Sequence, residues 1–324
     1  MISLNQLPLY TDDFFFLQDP TECEKSEGEL VICNPQDAIC ISPVVLRSRK
    51  SLEEHIELIN QKQIKKVLII AESIDFIRSC PSLEHVTIIP SLTASTFDFS
   101  PLYDLPNIKV LFCHTMYGEG EKKVSCVDYS KLKNLKRIAI DGKGHQNYDK
   151  IAGLKHVYIG RYHPMGDSLV NTLDMSDLEY LELCQSNIRT LDGIETATKL
   201  KKLHLAYCRK LENISAISHL GKTLRELSIE TCARIGDFSA LSELHELESL
   251  SLIGTNTIPN LSFLSQMPNL KAFKCFMTVE DGKMGLLKKV PWVMLKGKKH
   301  YDHKERDFTQ ISVPYSDGFF CEYE

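Results

Sequence analysis

The sequence predicts an α/β solenoid with about eleven short parallel strands, and three observations lead to this expectation. One motif recurs eleven times, at intervals of 19–27 residues. It consists of an apolar residue, two variable positions, a second apolar residue, one variable position and a third apolar residue. A second motif, Asp or Asn followed two positions later by Ser, recurs with the same period. The chain has 324 residues and is 43% apolar, so it can bury the continuous core that stacked repeats require.

The first motif predicts the strands. Its second and third apolar residues alternate with variable positions, which is typical of a strand with one face in the core. We therefore expect these apolar residues to point inward and their neighbours to point outward. The clearest copies are Leu178-x-x-Leu181-x-Leu183, Leu200-x-x-Leu203-x-Leu205, Leu224-x-x-Leu227-x-Ile229 and Leu247-x-x-Leu250-x-Leu252, and weaker copies open at Ile64, Leu83, Ile108, Leu135, Leu154, Leu270 and Val290.

The second motif predicts a short helical or 3₁₀ segment on the outer side of each repeat. An Asp or Asn side chain accepts hydrogen bonds from the free backbone amides at the start of a helical turn. Apolar residues then recur at every third position, which suits a 3₁₀ segment better than a long α-helix. The motif begins at Asp98, Asp128, Asn213, Asp237 and Asn260.

Together the two motifs resemble the leucine-rich repeat family over roughly Ile64 to Leu295. The resemblance implies an arc-shaped or horseshoe-shaped solenoid, with a parallel inner sheet, outer helical or 3₁₀ segments and a cap at each end. It also implies a small polar residue at the turn, three positions after the last apolar residue of the strand. Cys208, Cys232, Thr255 and Thr278 occupy that position here.

The ends of the chain depart from the repeat and are expected to cap it. Leu30–Cys33 and Ala38–Ile41 flank an Asn-Pro-Gln-Asp turn and predict a hairpin, and Ser51–Glu54 spells a capping box that starts a helix. The predicted organisation is therefore an N-terminal cap of hairpin plus helix at 1–63, a solenoid at 64–295, and a C-terminal cap or tail at 296–324.

Composition narrows the class of partner and the compartment. The net charge of −5 disfavours nucleic acid and anionic membrane surfaces as partners. No run of eighteen apolar residues occurs, and Met1–Tyr10 lacks the pattern of a secretory signal. Eleven scattered cysteines without a Cys-x-x-Cys pair are typical of a reducing compartment. We expect a cytoplasmic protein that is monomeric in isolation.

Catalytic, cofactor and metal sites are not predicted. Cys126-Val-Asp128 matches the Cys-x-Asp of leucine-rich repeat ubiquitin ligases, but Asp128 belongs to the recurring capping motif and no segment remains for a separate catalytic domain. His300 and His303 lack further ligands at metal-binding spacing. The loop from Asp141 to His145 lacks the glycines and the Lys-Ser/Thr ending of a phosphate loop.

The predicted binding surface consists of the outward positions of the strands and of the loops that follow three of these strands. Side chains there are aromatic or charged, and packing within the repeat does not explain them. The three loops span 114–120, 141–148 and 160–166, and are rich in Tyr, His, Met and Gly. The candidate partner-binding residues are Phe112, His114, Tyr117, His145, Tyr148, His156, Tyr158, Arg161, Tyr162, Tyr180, Glu182, His204 and Tyr207.

The sequence thus predicts a non-enzymatic scaffold that binds a protein partner stoichiometrically. Inhibition of that partner, as by an antitoxin or immunity protein, is one such role, and a regulatory or adaptor subunit of a larger enzyme complex is another. The other class is an enzyme, either a ligase of the Cys-x-Asp type or a hydrolase built on the loop histidines.

Overall fold

The computed structural model describes residues 30–33, 52–71, 73–90, 96–113, 123–124, 126–141, 145–163 and 166–308. These residues divide into two compact units, with the boundary between Ile151 and Ala152. Each unit is built from the same alternation of a short strand and a short 3₁₀ segment.

The first unit contains a parallel sheet of five described strands and one α-helix. Neighbouring strands of this sheet are in the order β1-β2-β3-β5-β7, and β4 and β6 form a small parallel pair of their own. The elements are β1 (Leu30–Cys33), α1 (Leu52–Lys62), β2 (Lys66–Ala71), β3 (His85–Pro90), β4 (Thr96–Phe97), β5 (Val110–Cys113), β6 (Lys123–Val124) and β7 (Arg137–Asp141), with 3₁₀ segments at Asp75–Ser79, Ser100–Asp104, Tyr129–Lys131 and Tyr148–Lys150.

The second unit contains a parallel sheet of seven described strands. Their order is β8-β9-β10-β11-β12-β14-β16, and β13 pairs with β15. The elements are β8 (His156–Gly160), β9 (Tyr180–Cys184), β10 (Lys202–Ala206), β11 (Glu226–Glu230), β12 (Ser249–Ile253), β13 (Thr257–Ile258), β14 (Ala272–Cys275), β15 (Thr278–Val279) and β16 (Trp292–Leu295), with 3₁₀ segments at Ile194–Thr196, Ser215–Leu220, Ser239–Glu243, Ser262–Gln266, Gly285–Lys289 and Glu305–Asp307.

All eleven strands predicted from the first motif are present. In each of them the second and third apolar residues of the motif are buried, as Leu227 and Ile229 in β11 and Leu250 and Leu252 in β12 illustrate. The register aligns Leu227 with Leu250 and Ile229 with Leu252, so equivalent side chains stack from one repeat to the next. The prediction of a parallel sheet with inward leucines is therefore confirmed.

The outer segments are 3₁₀ turns, and the predicted Asp and Asn residues start them. The Oδ1 atoms of Asp237 and Asn260 accept from the backbone N–H groups of Ser239 and Ser262, at 2.8 and 2.9 Å. Asp98, Asp128 and Asn213 make the equivalent bond at 2.8–3.1 Å. These bonds satisfy amides that a 3₁₀ turn leaves without a backbone partner.

The turn after each strand departs from the prediction at two positions. Cys208 and Cys232 are buried there as expected, but Thr255 is exposed and Asn256 is buried instead. The Nδ2 group of Asn256 donates to Cys232 O and to Ile235 O, at 3.1 and 2.8 Å. The assignment of Thr255 was wrong because one extra residue follows β12, and only Asn256 reaches the carbonyls of the preceding repeat.

Thr278 was also wrongly assigned to the turn. It lies in β15 and pairs with Thr257, whereas Met277 is the buried residue that follows β14. The β14 strand is one residue shorter than β12 in the described structure, which brings the buried position one residue earlier.

Ion pairs bridge neighbouring repeats just before the strands of the second unit. Glu179 accepts from Lys201 at 2.7 Å and from Lys155 at 3.0 Å. These two ammonium groups lower the pKa of the Glu179 carboxyl to about 2. Glu179 therefore links three successive repeats by charge.

The terminal segments match part of what the sequence predicts. Helix α1 is present, and Ile59 on one face of it is fully buried. Leu30–Cys33 is a strand, but it pairs in parallel with β2, and its predicted hairpin partner Ala38–Ile41 lies outside the described residues. At the other end, the hydroxyl of Tyr301 accepts from Val279 N at 2.9 Å. The division into caps and solenoid stays a prediction.

Candidate functional site

The candidate site is on the outward face of the second unit. We define this outward face as the side chains of β8 to β11 that point away from the leucine core, namely His156, Tyr158, Tyr180, Glu182, Cys184, Lys202, His204, Glu226, Ser228 and Glu230. Parallel pairing aligns these side chains into rows across the strands. The central row runs Tyr158, Glu182, His204 and Ser228, one residue from each strand.

Glu182 is the centre of a hydrogen-bonded cluster. The hydroxyl of Tyr180 donates to Oε2 of Glu182 at 2.8 Å, and Nδ1 of His204 lies 3.3 Å from Oε1. The whole residue is only 9% exposed. A buried carboxylate persists only where neighbouring donors replace its lost hydration, and Tyr180 and His204 supply them.

The charge state of Glu182 follows from this balance. Burial alone would raise the pKa of the carboxyl, but hydrogen bonds from His204 and Tyr180 outweigh that effect and hold the pKa below its ordinary value. Glu182 is therefore ionised at neutral pH and acts only as a hydrogen-bond acceptor.

The ionised carboxylate requires a donor from His204. Because Glu182 only accepts, the proton between the two side chains resides on Nδ1 of His204. Nε2 is buried and makes no hydrogen bond with any residue that the structure describes. The ring as a whole is 22% exposed, so it borders the solvent beside Glu182.

Aromatic and charged neighbours surround the cluster. The rings of His156 and Tyr180 stack, with centroids 6.0 Å apart and planes 19° apart. On the other side, Lys202 pairs with Glu226 at 3.2 Å. Burial raises the pKa of the Cys184 thiol. The outward face thus combines flat rings with hydrogen-bonding and ionic groups.

The residue that follows each strand extends the outward face. Arg161, Gln185, Tyr207 and Thr231 all have a left-handed backbone, with φ between 51° and 56°. Such a conformation is costly for a residue with a side chain, and its recurrence in four successive repeats marks a structural requirement of the turn. It leaves Tyr207 41% exposed.

Tyr207 is nevertheless held in place. Its hydroxyl donates to Oε1 of Glu230 on the neighbouring strand at 2.8 Å, which raises the pKa of Tyr207 above its ordinary value. The repeats of β9, β10 and β11 therefore each have two buried leucine-type residues, a left-handed turn residue, a buried turn residue and a 3₁₀ segment, and the described residues of the β8 repeat show all of these except the 3₁₀ segment. The chain has a leucine-rich repeat fold.

Solved structures that are similar to this chain have low sequence identity to it and TM-scores below 0.5. An internalin, InlF, from Listeria monocytogenes aligns over 92% of this chain and 90% of its own, at 12% identity and a TM-score of 0.48. The functional domain of InlJ from the same organism, which includes a cysteine ladder, covers 71% of this chain and 62% of its own, at 14% identity and a TM-score of 0.39. The ectodomain of the plant receptor kinase GASSHO1/SCHENGEN3 from Arabidopsis thaliana, in complex with CASPARIAN STRIP INTEGRITY FACTOR 2, covers 72% of this chain and 32% of its own, at 13% identity and a TM-score of 0.44.

These likenesses concern the fold and are too distant to bear on function. No protein-family model and no curated protein matches the chain.

Several predicted binding residues prove to be buried. Phe112 and Tyr162 are each 2% exposed, and Tyr180 is 7% exposed. The expectation that these three side chains are open to a partner was wrong. Alternation along a strand identifies the side that faces away from the leucines, but it does not show whether other groups cover that side.

The reason for burial is visible for two of them. Tyr162 occupies the turn position that Cys208 and Cys232 occupy in later repeats, where the side chain enters the core. Tyr180 packs against His156 and directs its hydroxyl at Glu182. Tyr180 supports the cluster and offers little surface.

The candidates in the first unit surround a buried tyrosine. His145 and Tyr148 are half-buried, with ring centroids 5.8 and 6.5 Å from that of Tyr129. Burial lowers the pKa of His145 to about 4. His114 and Tyr117 lie outside the described residues, as do large parts of the three loops. The proposed loop surface therefore stays a prediction.

Register reveals participants that single-residue inspection of the sequence missed. Lys202, Glu226 and Glu230 were not among the candidates, yet they form the ion pair and the hydrogen bond that flank the cluster. For two of them the signal was present in the sequence, because Lys202 and Glu226 occupy the same outward position of their repeats as the candidate Tyr180.

The sequence motifs considered for chemistry have structural roles in the described part of the chain. Asp128 accepts from Ser130 N and from Asn147 Nδ2, so it starts a 3₁₀ turn. His300 lies 2.9 Å from a backbone oxygen, and His303 lies 2.8 Å from Asp302. Among the described residues, no group of three His, Cys, Asp or Glu side chains converges on a common point. Within the same ranges, no helix has the length and apolar character needed to cross a bilayer.

Proposed function

We propose that the protein is a stoichiometric binding scaffold, and that the outward face of the second unit contacts a protein partner. One observation carries the proposal. Aromatic, acidic and basic side chains are aligned across four consecutive strands on the side opposite the leucine core, and hydrogen bonds and ion pairs join them from β9 to β11. Residues of this kind are enriched at protein interfaces, and their fixed positions reduce the entropy lost on binding.

Tyr207 is the expected anchor. It is the most exposed tyrosine described on this face, and its bond to Glu230 orients the ring before any partner arrives. A rigid aromatic side chain buries a large area at low entropic cost. Half-exposed Tyr158 and Arg161 extend the same surface toward β8.

A binding role without catalysis also accounts for the environment of the polar groups. Glu182 is engaged by Tyr180 and His204, and Asp128 starts a turn, so neither is left for proton transfer or nucleophile activation. Within binding roles, we favour neutralisation of a protein partner, as by an inhibitor, antitoxin or immunity protein. An adaptor or regulatory subunit of a larger complex would use the same surface. We expect the protein to act in the cytoplasm as a monomer before it binds.

The test is affinity capture from the native host with three forms of the chain. The parent, Tyr207→Ala and Leu286→Ala are compared by mass spectrometry of the captured proteins. Leu286 is the matched control because it is also a large exposed apolar residue, 38% exposed, but lies in an outer 3₁₀ segment. We expect one protein to be retained by the parent and by Leu286→Ala, and to be lost with Tyr207→Ala.

The captured protein is then purified with the chain to measure stoichiometry and affinity. We expect a fixed stoichiometric ratio, and a loss of roughly 2 kcal/mol for Tyr207→Ala, as is typical of an interface anchor. Equal capture by all three forms would contradict binding through this face. Turnover of the partner or of a cofactor by the parent chain would contradict a purely binding role.

A further inference from the structure

The carboxylate of Glu182 can still accept hydrogen bonds. Each carboxylate oxygen of Glu182 receives one described bond, from Tyr180 or from His204, although an ionised carboxylate accepts about four in all. The side chain is 11% exposed, so a partner group reaches the remaining lone pairs only from the outward side.

His204 borders the accessible edge of Glu182. Its side chain is 22% exposed, and its Nδ1 atom lies 3.3 Å from Oε1 of Glu182. Its Nε2 atom is buried and makes no hydrogen bond in the described structure, so the contact point for a partner is the carboxylate.

The surrounding charges favour a cation. The outward positions of β8 to β11 hold three carboxylates, at Glu182, Glu226 and Glu230, and one ammonium group, at Lys202. With Arg161 after β8, and without the histidines, these groups give −3 + 2 = −1. Tyr158, in the same row as Glu182, offers an aromatic ring, and such rings attract cations to their faces. A partner carboxylate would instead meet like charge.

We propose that Glu182 recognises a basic side chain, lysine or arginine, of the protein partner. The inference rests on the proposed function and gives it a chemical specificity. The cationic group donates to the free lone pairs of Glu182. A guanidinium group fits best, because its planar fork carries several donors that can reach both oxygens of one carboxylate at once.

The test uses peptides, so that the natural partner need not be known. A phage-displayed library of random dodecapeptides is selected on the full-length chain. Binders that Tyr207→Ala weakens are retained, and each is synthesised in its parent form and with every basic residue replaced in turn. Arginine is replaced by citrulline, which keeps the shape and removes the charge, and lysine by norleucine.

Each peptide is then titrated against three proteins: the parent, Glu182→Gln, and Glu243→Gln. Glu243 is the matched control because it is an exposed carboxylate in an outer 3₁₀ segment. We expect one basic residue whose replacement weakens binding about tenfold or more, as charge-assisted pairs do on average. Glu182→Gln should weaken binding of the basic peptide by a similar factor and should barely affect binding of the neutral peptide. Glu243→Gln should affect the binding of neither.

The outcomes separate this inference from the proposed function. Two results would overturn recognition of a cation and leave binding on the outward face intact. One is that the retained peptides have no essential basic residue, and the other is that Glu182→Gln does not change the contribution of that residue to binding. Failure to obtain any peptide sensitive to Tyr207→Ala would count against both.

If Glu182→Gln does not fold, the imidazole nitrogens of His204 in the parent chain decide the question. Their NMR signals are assigned by comparison with His204→Gln. The basic peptide must shift the Nδ1 resonance, because a cation on Glu182 changes the hydrogen bond between the two side chains, and its neutral counterpart must leave it in place; equal shifts would overturn the inference.

Discussion

Gly221 is the position where the stack of outer segments tolerates least change. It ends the 3₁₀ segment Ser215–Leu220, with φ −55° and ψ −27°, which is ordinary backbone for any residue. A Cβ atom at Gly221 would lie 2.2 Å from the backbone oxygen of Glu243, at the end of the next outer segment. Glycine is required here by the closeness of two segments and not by a left-handed conformation.

The size of the effect of Gly221→Ala follows from two opposing contributions. Relief of the clash demands that the two outer segments separate by about 1 Å, and overpacking of this kind costs about 1–3 kcal/mol. Alanine at a compatible backbone also restricts the unfolded chain, which stabilises by about 0.4–1 kcal/mol. We therefore expect Gly221→Ala to lower the free energy of unfolding by about 1.3 kcal/mol, the difference between the middle values of these contributions, about 2 and about 0.7 kcal/mol.

Gly236→Ala provides the control. Nothing lies within 4 Å of a Cβ built at Gly236, and its φ is outside the left-handed region, so only the effect on the unfolded chain remains. Both variants are compared with the parent by urea unfolding, followed by circular dichroism at one protein concentration. Stability of Gly221→Ala equal to or above that of Gly236→Ala would refute the close approach of the outer segments.

Three further predictions concern the second unit. Glu179→Gln should lower stability by about 1 kcal/mol at neutral pH, after allowance for solvent screening of the ion pairs. Because the pKa of Glu179 in the folded protein, about 2, is below the ordinary 4.5, this contribution is complete above pH 4.5 and is lost as pH falls toward 2. The urea midpoints of parent and variant should therefore converge as the pH is lowered. Asn256→Ala should lower the free energy of unfolding in urea by about 1–3 kcal/mol, because two buried carbonyls lose their donor. Thr255→Ala should change it little. A larger loss for Thr255→Ala than for Asn256→Ala would support the turn assignment made from the sequence. Leu227→Ala should cost about 2–5 kcal/mol in the same assay, and a stability equal to that of the parent would contradict its inward position.

The repeat could be predicted from the sequence because its determinants are local. The spacing of Leu227 and Ile229 fixes which side of a strand is buried, and Asp237 or Asn260 starts an outer turn through atoms only two residues away. Such interactions recur with each copy, so errors at one repeat are corrected by the others. The prediction failed where the repeat length varies, as after β12, where Asn256 and not Thr255 enters the core.

The candidate site was harder to predict because it depends on relations between repeats. Glu182 was selected as an outward residue, but its hydrogen-bond partners are Tyr180 two positions before it and His204 one strand away. Phe112 shows the same limit. Its sequence pattern is that of an outward residue, although it is only 2% exposed. Sequence periodicity assigns a side to each residue, while exposure depends on everything that packs on that side.

The two sides of the second unit are therefore under different physical constraints. On the inner side, each leucine contributes by burial, and equivalent residues in successive repeats are interchangeable as long as volume is conserved. On the outward face, Glu182 depends on the particular donors Tyr180 and His204, so its replacement leaves their polar groups without a partner. Such a cluster is a poor means of stabilising a sheet, because hydrophobic burial achieves more without desolvating a charge. Together with the exposed Tyr207 on the same face, the cluster supports the proposal of a binding surface whose groups are held in position before a partner arrives.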